Sequence, residues 1–302
     1  MAEQLGRYPA ARRVIAHVSD THLLHGGAPL GGVADTVGAL AQAVKQLERL
    51  GDRLDAIVVT GDVTDLGEPD AYRRVRELVE PLASSSGAEL VWVMGNHDVR
   101  GPFREGLLGQ APSDDPVNQV FDLGGLRVIA LDTSVPGWHH GVLEASTIEW
   151  LADVLSEAAP DGTILAMHHA PLATPLALMD ILELRGQDEL AEVVRGRDVR
   201  LILGGHLHYP TNGEFAGIPV SVAGALAYTM DLSAPPRELV GVDGGRSFTL
   251  VHVYDDSHVN VVVPLGPLPV VTSFGEAFLA EVEGLSPEGR LDRFSRKPPG
   301  VR

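Results

Sequence analysis

Five short motifs concentrate Asp, His and Asn side chains in a chain that has no cysteine. Carboxylate oxygen together with imidazole nitrogen suits Mn, Fe, Zn or related ions, whereas an all-oxygen set suits Mg²⁺ or Ca²⁺. Residues two apart in extended backbone point the same way, so an Asp-x-His or His-x-His pair can reach one metal region. The number of candidates indicates two metal ions. The motifs are Asp20-x-His22, Gly61-Asp62, Gly95-Asn96-His97-Asp98, His168-His169 and Gly205-His206-x-His208.

Each motif follows a short apolar segment with the length and β-branched content of a buried strand. Because the carboxyl ends of strands in an α/β sheet meet at one edge, side chains far apart in the sequence can share a site there. Glycines beside the motifs let the backbone pass close to the ions or adopt turn geometry. The predicted strands cover residues 14–18, 56–60, 90–94, 127–131, 163–167 and 200–203.

Helical periodicity lies between several of these strands. A Ser146-x-x-Glu149 capping box predicts the start of the second helix. The apolar side chains that share a helical face are Val37, Leu40, Val44 and Leu47 in the first helix, and Ile148, Leu151 and Leu155 in the second.

After about residue 200 the pattern changes to strands with little helix between them, over 218–222, 249–254 and 259–263. Apolar strands must be covered on both faces, which favours an α/β layered domain with sheet packed on sheet and helices outside. Residues 225–247 predict a long surface loop that could overhang a site or mediate a contact. The tail over 286–302 predicts disorder.

Composition bounds the partners. With 302 residues, 44% of them hydrophobic, the chain can bury a large core. The net charge of −18 disfavours nucleic acid and anionic membranes as partners. No signal peptide and no run of roughly 20 apolar residues is present, so we expect a cytoplasmic protein without stable membrane insertion. Because the net charge is negative, a small anionic substrate needs local positive charge at its site, which two metal ions would supply.

The ordered motifs match the signature of the calcineurin-like metallophosphoesterases. Over roughly residues 12–265 the chain further resembles the bacterial class III cyclic-nucleotide phosphodiesterases. The resemblance implies a four-layer αββα sandwich, a dinuclear Fe/Mn-type centre (with Mn, Zn or Co also possible) and a homodimer. It divides the chain into an N-terminal extension (1–12), a catalytic domain (13–266) and a partly disordered C-terminal extension (267–302). The segments that carry it are HVSDTHL, VVTGDVTDLGEPDAYR, LVWVMGNHD, LDTSVPG, LAMHHAP and LGGHLHYPTNGEFAGIPVSVA.

The family pattern also implies a role for each motif residue. Asp62 bridges both ions, and a metal-bridging hydroxide attacks phosphorus, since metal binding lowers the pKa of water to near neutrality. His97 stabilises the transition state or protonates the leaving oxygen, and Asp65 is a candidate to orient it. The implied ligands are Asp20, His22 and His208 for the first ion, and Asn96, His168 and His206 for the second.

The other histidines receive different interpretations. His139 and His140 follow the fourth predicted strand at the same rim, and His139 is the one favoured to contact phosphate, together with His22, Asn96, His97 and His208. His169 should point away from the ligands and be structural. His17 and His252 lie within strand patterns and are expected to be core or interface residues, whereas His25 and His258 are expected in loops.

The expected activity is metal-dependent hydrolysis of small phosphodiesters, including 3′,5′-cyclic AMP and cyclic GMP. Met94 and Asp98 flank the Gly-Asn-His segment where phosphomonoesterases of the family usually carry arginine, which favours a diester. Neither a P-loop nor a serine elbow is present. A 2′,3′-cyclic nucleotide or another diester is an alternative substrate, because the motifs report on the phosphate alone. A catalytically silent scaffold is the alternative of a different class.

Overall fold

The computed structural model describes residues 5–235, 237–266 and 268–297. The strands in these ranges are β1 (Arg13–Val18), β2 (Ala56–Thr60), β3 (Glu89–Val93), β4 (Gln119–Leu123), β5 (Leu126–Leu131), β6 (Gly141–Val142), β7 (Thr163–His169), β8 (Leu184–Arg185), β9 (Val199–Gly205), β10 (Thr211–Phe215), β11 (Ile218–Val222), β12 (Thr229–Met230), β13 (Gly241–Val242), β14 (Ser247–Val253) and β15 (His258–Pro264). The helices are α1 (Thr36–Leu47), α2 (Pro69–Ser86), α3 (Arg100–Phe103), α4 (Ala145–Val154), α5 (Gln187–Val194), α6 (Glu276–Glu283) and α7 (Pro287–Arg290).

The longer strands form two mixed sheets. The first has the order β15-β14-β1-β2-β3, with β1, β2 and β3 parallel and β14 and β15 antiparallel. The second has the order β10-β11-β9-β7-β5-β4, with four parallel strands between antiparallel edges. Five of the parallel strands, β1, β2, β3, β7 and β9, end within or just before a motif, which places motif residues at strand ends in both sheets.

Alternate side chains along the strands enter different apolar cores, and this produces the layers of the fold. In β2, Ile57 and Val59 belong to the core that includes the buried faces of α1 and α2. Ala56 and Val58 belong to a second core made of side chains from strands of both sheets. A third core joins the outer face of the second sheet to α4 and α5. Burying each such side chain contributes about 1.5–3 kcal/mol, which is why both faces of these strands are apolar. The αββα sandwich predicted from the sequence is confirmed.

The strands that carry His168 and His206 are longer than predicted. β7 continues to His169 and β9 to Gly205, because the two strands stay paired as far as His169 and Gly205, beyond a register irregularity. The predicted bounds of β2 and β11 match the structure. His258, expected in a loop, is the first residue of β15.

The start of α4 corrects the predicted capping box. The helix begins at Ala145, with Glu144 as N-cap, so Ser146 lies inside the first turn. The N-cap makes no side-chain capping bond. The Glu144 carboxylate instead accepts a bond from Arg100 Nη2 at 3.2 Å. A tertiary ion pair therefore holds this turn where the sequence suggested a local one.

Residues 225–247 are not wholly a surface loop. Ala225, Leu226 and Ala227 are fully buried. The amide of Leu226 donates to the Ser19 carbonyl at 3.1 Å, and that of Ala227 donates to the Asp20 carbonyl at 3.0 Å. This segment thus continues the sheet edge beside the first motif. The short β12–β13 hairpin follows it.

The chain divides into two units, Ala11–Gly266 and Met1–Ala10 with Pro267–Arg302. In the second unit, Phe278 contacts Phe274 and Phe294 at ring-centroid distances of 4.7 and 4.9 Å. Helix α7 lies in the tail for which the sequence predicted disorder, and residues 298–302 of that tail lie outside the described residues. Among the helices described, none has the length and apolarity needed to cross a membrane.

Candidate metal centre

The five motifs meet at one rim of the sandwich. β1, β2 and β3 deliver their motifs from the first sheet, and β7 and β9 deliver theirs from the second. Of the predicted ligands, Asn96 is partly exposed and the others are buried. His97, the predicted catalytic residue, is also partly exposed. Those buried residues are Asp20, His22, Asp62, His168, His206 and His208.

Backbone conformation singles out the same residues. Non-glycine residues rarely adopt positive φ, and such strain costs of order 1–3 kcal/mol at each position. Five of the seven described non-glycine residues with positive φ are predicted ligands, and the other two are Ala216 and Arg237. Strain gathered at one rim indicates a functional site there. The five are Asp20 (φ 54°), His22 (45°), Asp62 (46°), His206 (71°) and His208 (58°).

Two motif glycines allow the close approach expected of them. A Cβ on Gly95 would lie 2.1 Å from the amide nitrogen of Asp62. A Cβ on Gly205 would lie 2.0 Å from Ser19 Oγ. Any side chain at either position would displace the backbone that carries a ligand.

The first ligand group comprises Asp20, His22, Asp62 and His208, whose donor atoms all lie within 4.8 Å of one another. His208 Nε2 lies 3.3 Å from Asp20 Oδ1, and His22 Nε2 lies 3.5 Å from Asp62 Oδ2. The two Nε2 atoms of His22 and His208 are 3.1 Å apart. Two imidazole nitrogens this close, beside two buried carboxylates, are stabilised by a shared cation, so the donor set fits a metal ion.

The second ligand group comprises His168, His206 and Asn96 and shares Asp62 with the first. His168 Nε2 lies 3.3 Å from Asp62 Oδ2 and 3.1 Å from Asn96 Oδ1. The rings of His168 and His206 are in edge contact, with centroids 5.0 Å apart. Asp62 therefore lies against both groups, as a bridging carboxylate must.

Each histidine of the two groups has one ring nitrogen held by an outer partner. A ring nitrogen that donates to a carbonyl carries the proton, so the other nitrogen presents its lone pair to the ligand group. The nitrogen that faces the ligand groups is Nε2 in His22, His168 and His208, and Nδ1 in His206. The outer bonds are His22 Nδ1 to Asp65 Oδ1 at 2.9 Å, His168 Nδ1 to the Thr60 carbonyl at 2.7 Å, His208 Nδ1 to the Tyr228 carbonyl at 3.1 Å and His206 Nε2 to the Leu182 carbonyl at 3.1 Å.

The electrostatics of the cluster favour positive charge. Burial opposes the charged form of His168, yet the Asp62 carboxylate and the Asp20 carboxylate raise its pKa to about 9. The pKa of Asp20 is lowered despite burial, chiefly because of His208. Burial lowers the pKa of His206 to about 3. The buried carboxylates thus stabilise cationic charge close to them, whether a proton or a metal ion.

His169 lies beside the cluster but is not free to bind metal. Its ring is 4.5 Å from that of His206. Both its nitrogens are occupied, because Thr133 Oγ1 donates to Nδ1 at 2.8 Å and Nε2 donates to the His139 carbonyl at 3.1 Å. The prediction that it points away from the ligands is wrong, whereas its predicted structural role agrees with these bonds.

His97 lies at the mouth of the cluster. Its amide donates to Asp62 Oδ1 at 2.8 Å, and its Nδ1 donates to the Asp65 carbonyl at 2.9 Å. The sequence suggested Asp65 as its orienting partner; the backbone of Asp65 does this, while the Asp65 carboxylate bonds His22 and lies 3.4 Å from His97 Nδ1. Among the residues that the structure describes, none forms a hydrogen bond with His97 Nε2.

The structure distinguishes the two candidates of the His139–His140 pair. Asn96 Nδ2 donates to His139 Nδ1 at 2.9 Å, and the rings of His97 and His139 have centroids 5.0 Å apart. His140 instead contacts Trp138, at 5.7 Å. The chain therefore brings His139 to the predicted phosphate side of the cluster.

The remaining histidines lie away from the ligand groups. His17 is fully buried, its Nε2 2.9 Å from Thr60 Oγ1, as a core residue should be. His252 is partly buried within β14. His25 is exposed in a short 3₁₀ turn, as expected of a loop residue.

Asp98 belongs to the third motif, and the sequence analysis did not predict its structural role. Its buried carboxylate accepts bonds from the amides of Gly95, Val63 and Thr64 and from the hydroxyl of Tyr72. Burial and the nearby Asp62 raise its pKa to about 6. It ties the turn after β3 to the turn after β2, and its place directly after His97 was the available signal.

A sandwich of this kind with a rim of Asp, His and Asn donors defines a metal-dependent hydrolase class. The sequence profile described as calcineurin-like phosphoesterase matches residues 13–210, and the chain belongs to that family. It is 50% identical over 299 residues to a protein of Mycobacterium tuberculosis named cAMP/cGMP dual specificity phosphodiesterase, covering 97% of this chain and 94% of the relative. A probable cyclic nucleotide phosphodiesterase of Rhodococcus erythropolis is 47% identical over 88% of each chain.

Solved structures agree at the level of the fold. A purple acid phosphatase from yellow lupin, Lupinus luteus, superposes with a TM-score of 0.59 at 14% identity. The match covers 88% of this chain and 58% of the phosphatase. At that identity the comparison shows a shared fold and no more.

Proposed function

We propose that this protein is a metal-dependent phosphodiesterase that hydrolyses 3′,5′-cyclic nucleotides such as cyclic AMP and cyclic GMP. The observation that carries the proposal is the gathering of four outwardly anchored histidines around two buried carboxylates, with Asp62 lying 3.5 Å from His22 Nε2 and 3.3 Å from His168 Nε2. The naming of the 50% identical mycobacterial relative supports the substrate class, because the match spans nearly the whole of both chains.

The donor geometry supports two ion sites. Asp20, His22 and His208 would hold one ion, Asn96, His168 and His206 the other, and Asp62 both. Mixed oxygen and nitrogen donors suit an Fe/Mn pair, with Mn, Zn or Co as alternatives. When bound, such a pair supplies an activated water and neutralises charge on the phosphate.

The diester is bound and oriented by His97 and His139, together with three of the ligand residues. Asn96 and His139 present an amide and an imidazole at one side of the cluster, and His22 and His208 contribute their rings from the other. Within the described part of the chain His97 Nε2 makes no hydrogen bond, so it can contact a phosphoryl oxygen or give a proton to the leaving alkoxide. The Asp65 carboxylate lies 3.4 Å from His97 Nδ1, on the side of the ring opposite Nε2.

The charges near the cluster favour a diester over a monoester. Arg100 is the arginine closest in sequence to the Gly-Asn-His turn, and its guanidinium is already occupied. It donates to Asp132 Oδ2 at 2.9 Å, to the Asp114 carbonyl at 2.6 Å, to the Ser134 carbonyl at 3.2 Å and to Glu144. The extra charge of a monoester dianion would therefore meet no arginine from this turn.

We also propose a homodimer acting in the cytoplasm, on the strength of the family resemblance. β15 is an edge strand with exposed Val259, Val261 and Val262, which supports a contact between chains at that edge. Light scattering of purified protein tests the assembly. A monomer at all concentrations would remove this part of the proposal without touching the activity.

The decisive experiment is steady-state hydrolysis with added Mn²⁺. The substrates are 3′,5′-cyclic AMP, 2′,3′-cyclic AMP, bis-nitrophenyl phosphate and nitrophenyl phosphate, with chelator-treated protein and Asn96→Ala as controls. We expect metal-dependent cleavage of diesters over the monoester, with 3′,5′-cyclic AMP preferred. No metal-dependent turnover on any substrate would favour a catalytically silent scaffold, and preference for 2′,3′-cyclic AMP would change the substrate assignment alone.

A further inference from the structure

A cleft of about 410 Å³ lies beside the residues that we place at the phosphate. Asn96, His97 and His139 line it together with apolar side chains. Among these, Leu66 and Val99 come from the loops after β2 and β3, and Trp138 comes from the loop after β5. The cleft is therefore built by two of the strand ends that build the metal centre, those of β2 and β3, and by the loop after β5 that carries His139.

The apolar side chains of this cleft are unusually exposed. Leu66 is 64% exposed, Val99 48% and Trp138 63%. Single exposed apolar side chains are ordinary on protein surfaces, but several at one concave site indicate a binding surface. Their position beside the proposed phosphate contacts points to the organic part of the substrate.

The indole of Trp138 is presented by an ordered turn. The Trp138 amide donates to the Val135 carbonyl at 2.9 Å, Pro136 follows Val135, and Gly137 has φ +80°. This pattern is that of a type II turn. The next residue, His139, is held through its side chain by Asn96 and through its carbonyl by His169. Trp138 is thus kept next to the phosphate contacts at little entropic cost on binding.

The rest of the cleft is also held in place. The Val99 amide donates to the Tyr72 hydroxyl at 3.1 Å. Gly67, with φ +67°, packs so closely that a Cβ there would lie 2.3 Å from Val99 Cγ2. The backbone on either side of Leu66 and Val99 is therefore held in place, and the cleft is largely preformed.

The charges of the lining restrict what can bind. Arg100 lines the cleft, but four protein acceptors occupy its guanidinium. The other acidic and basic lining residues, apart from the histidines, are the carboxylates Asp65, Asp98 and Asp114. A second phosphate would be repelled, whereas a flat neutral group with hydrogen-bond donors would be accommodated.

We propose that this cleft binds the nucleobase of the cyclic nucleotide, with the base stacked on the indole of Trp138. This inference rests on the proposed function, since it assigns the substrate of the same site. Stacking of a base on an aromatic side chain typically changes affinity by about tenfold or more when the side chain is removed. Trp138 is then a specificity-determining residue that distinguishes nucleotides from diesters without a base.

The test compares two substrates on the metal-loaded enzyme. One is 3′,5′-cyclic AMP, and the other is the same cyclic ribose phosphate with hydrogen in place of the base. In Trp138→Ala we expect the ratio of their kcat/KM values to fall about tenfold, mainly through KM for cyclic AMP. Trp138→Phe should restore most of the ratio, because a smaller aromatic face remains. An unchanged ratio in Trp138→Ala would overturn the inference.

A matched control comes from the other side of the metal centre. A second apolar cleft of about 480 Å³ is lined by Val33, Tyr228, Leu239 and Val242. Leu239→Ala removes a similarly exposed apolar side chain and should leave the substrate ratio unchanged. A fall in the ratio in Leu239→Ala and not in Trp138→Ala would place the base in that second cleft and refute the assignment to Trp138.

Binding can also be followed without turnover. Trp92 is buried and Trp150 partly buried, so Trp138 is the most exposed of the three tryptophans. Addition of 5′-AMP should quench the fluorescence of the wild-type enzyme and should not do so in Trp138→Phe; equal quenching in both would contradict the inference. Hydrolysis of neither cyclic substrate would refute the proposed function itself, whereas hydrolysis of both with no dependence on Trp138 would refute only the base assignment.

Discussion

The two ligand groups that share Asp62 differ in charge, in burial and in what holds them. The first adds a second carboxylate, Asp20, and all four of its members are buried. The second adds the neutral amide of Asn96, which is partly exposed and bonded to a residue of the loop after β5. Affinity for a hard cation rises with the number of charged ligands and the rigidity of the site. We therefore expect the first group to bind its ion more tightly.

The difference also separates two tasks. We expect a buried group with two carboxylates to keep its ion through the catalytic cycle. The partly exposed group lies next to His139 and to the cleft that we assign to the base, so we expect its ion to contact the substrate more directly. The following predictions test this division, beginning with the largest expected effect.

Asp62→Ala should disrupt both ligand groups, because Asp62 is the carboxylate that they share. Its Oδ2 lies 3.5 Å from His22 Nε2 and 3.3 Å from His168 Nε2, so both sites lose a charged ligand. We expect both ions to be lost and turnover to fall to background, measured by elemental analysis and hydrolysis. Asp188→Ala, an exposed carboxylate on α5, is the control. Two tightly bound ions in Asp62→Ala would refute the bridging role.

Asn96→Ala and Asp20→Ala should separate the groups. The first change removes a ligand of the second group alone, so the ion content should fall toward one per chain. The second removes a carboxylate of the first group and should weaken that ion by more than the ~10–100-fold typical of losing an outer partner. Titration of the metal-free variants with Mn²⁺ measures both affinities. The same loss of both ions in both variants would show that the two groups act as one.

His97→Ala should spare the ions and reduce the chemistry. His97 bonds Asp65 and Asp62 through Nδ1 and its amide, so its ring contacts neither ion in the proposed assignment. We expect kcat to fall by ~10²–10⁴, the range for loss of a proton-transfer group. The matched control is His140→Ala. It removes the other imidazole of the His139–His140 pair, whose ring contacts Trp138. Normal turnover in His97→Ala would exclude it from the reaction.

Asp65→Asn should weaken only the first group. The carboxylate accepts from His22 Nδ1 at 2.9 Å, whereas His97 is held mainly by the backbone carbonyl, which the substitution retains. We expect ~10–100-fold weaker binding of the first ion. Competition with a chelator measures this, and Asp65→Ala should be worse because it removes the acceptor altogether. Equally weakened binding of the second ion would show that Asp65 supports both ligand groups.

His17→Gln should change how the stability of the protein depends on acidic pH. His17 lies next to the residue that holds His168 of the second group. His17 bonds Thr60, whose carbonyl holds His168. Burial lowers the pKa of His17 to about 3, so its contribution to stability is present above pH 6.5 and is lost as pH falls from 6.5 towards 3.

The expected effect is read as the slope of unfolding free energy against pH. In metal-free protein, unfolding free energy measured with denaturant at several pH values should fall less steeply in His17→Gln than in wild type. The difference is at most one proton, or about 1.4 kcal/mol per pH unit. Parallel slopes for the two proteins between pH 6.5 and 3 would show that His17 is not buried in its neutral form.

Much of the fold and of the site was readable from local patterns. The bounds of β2 follow from an apolar β-branched run, and the Asp-x-His and His-x-His spacings follow from the alternation of extended backbone. Both are properties of a few consecutive residues. The predicted capping box at Ser146 is wrong, since α4 begins at Ala145 and the Glu144 before it bonds Arg100, 44 positions earlier in the sequence.

Other features depended on tertiary packing. The carbonyls of Thr60, Leu182 and Tyr228 hold three of the histidines, and a backbone carbonyl has no sequence signature. The burial of Ala225–Ala227 arises from pairing with Ser19 and Asp20, about 200 residues away. That long-range pairing hides a segment whose turn-rich composition predicted exposure.

The sequence by itself determined which side chains could bind metal ions and which strand ends carry them, because strand alternation and apolar runs are local properties. Only the tertiary structure decided that two sheets bring their carboxyl ends to one rim and that Asp62 lies between the two groups. It also placed His139, with the indole beside it, against Asn96. These arrangements depend on the packing of segments distant in sequence, and packing is set by the whole core.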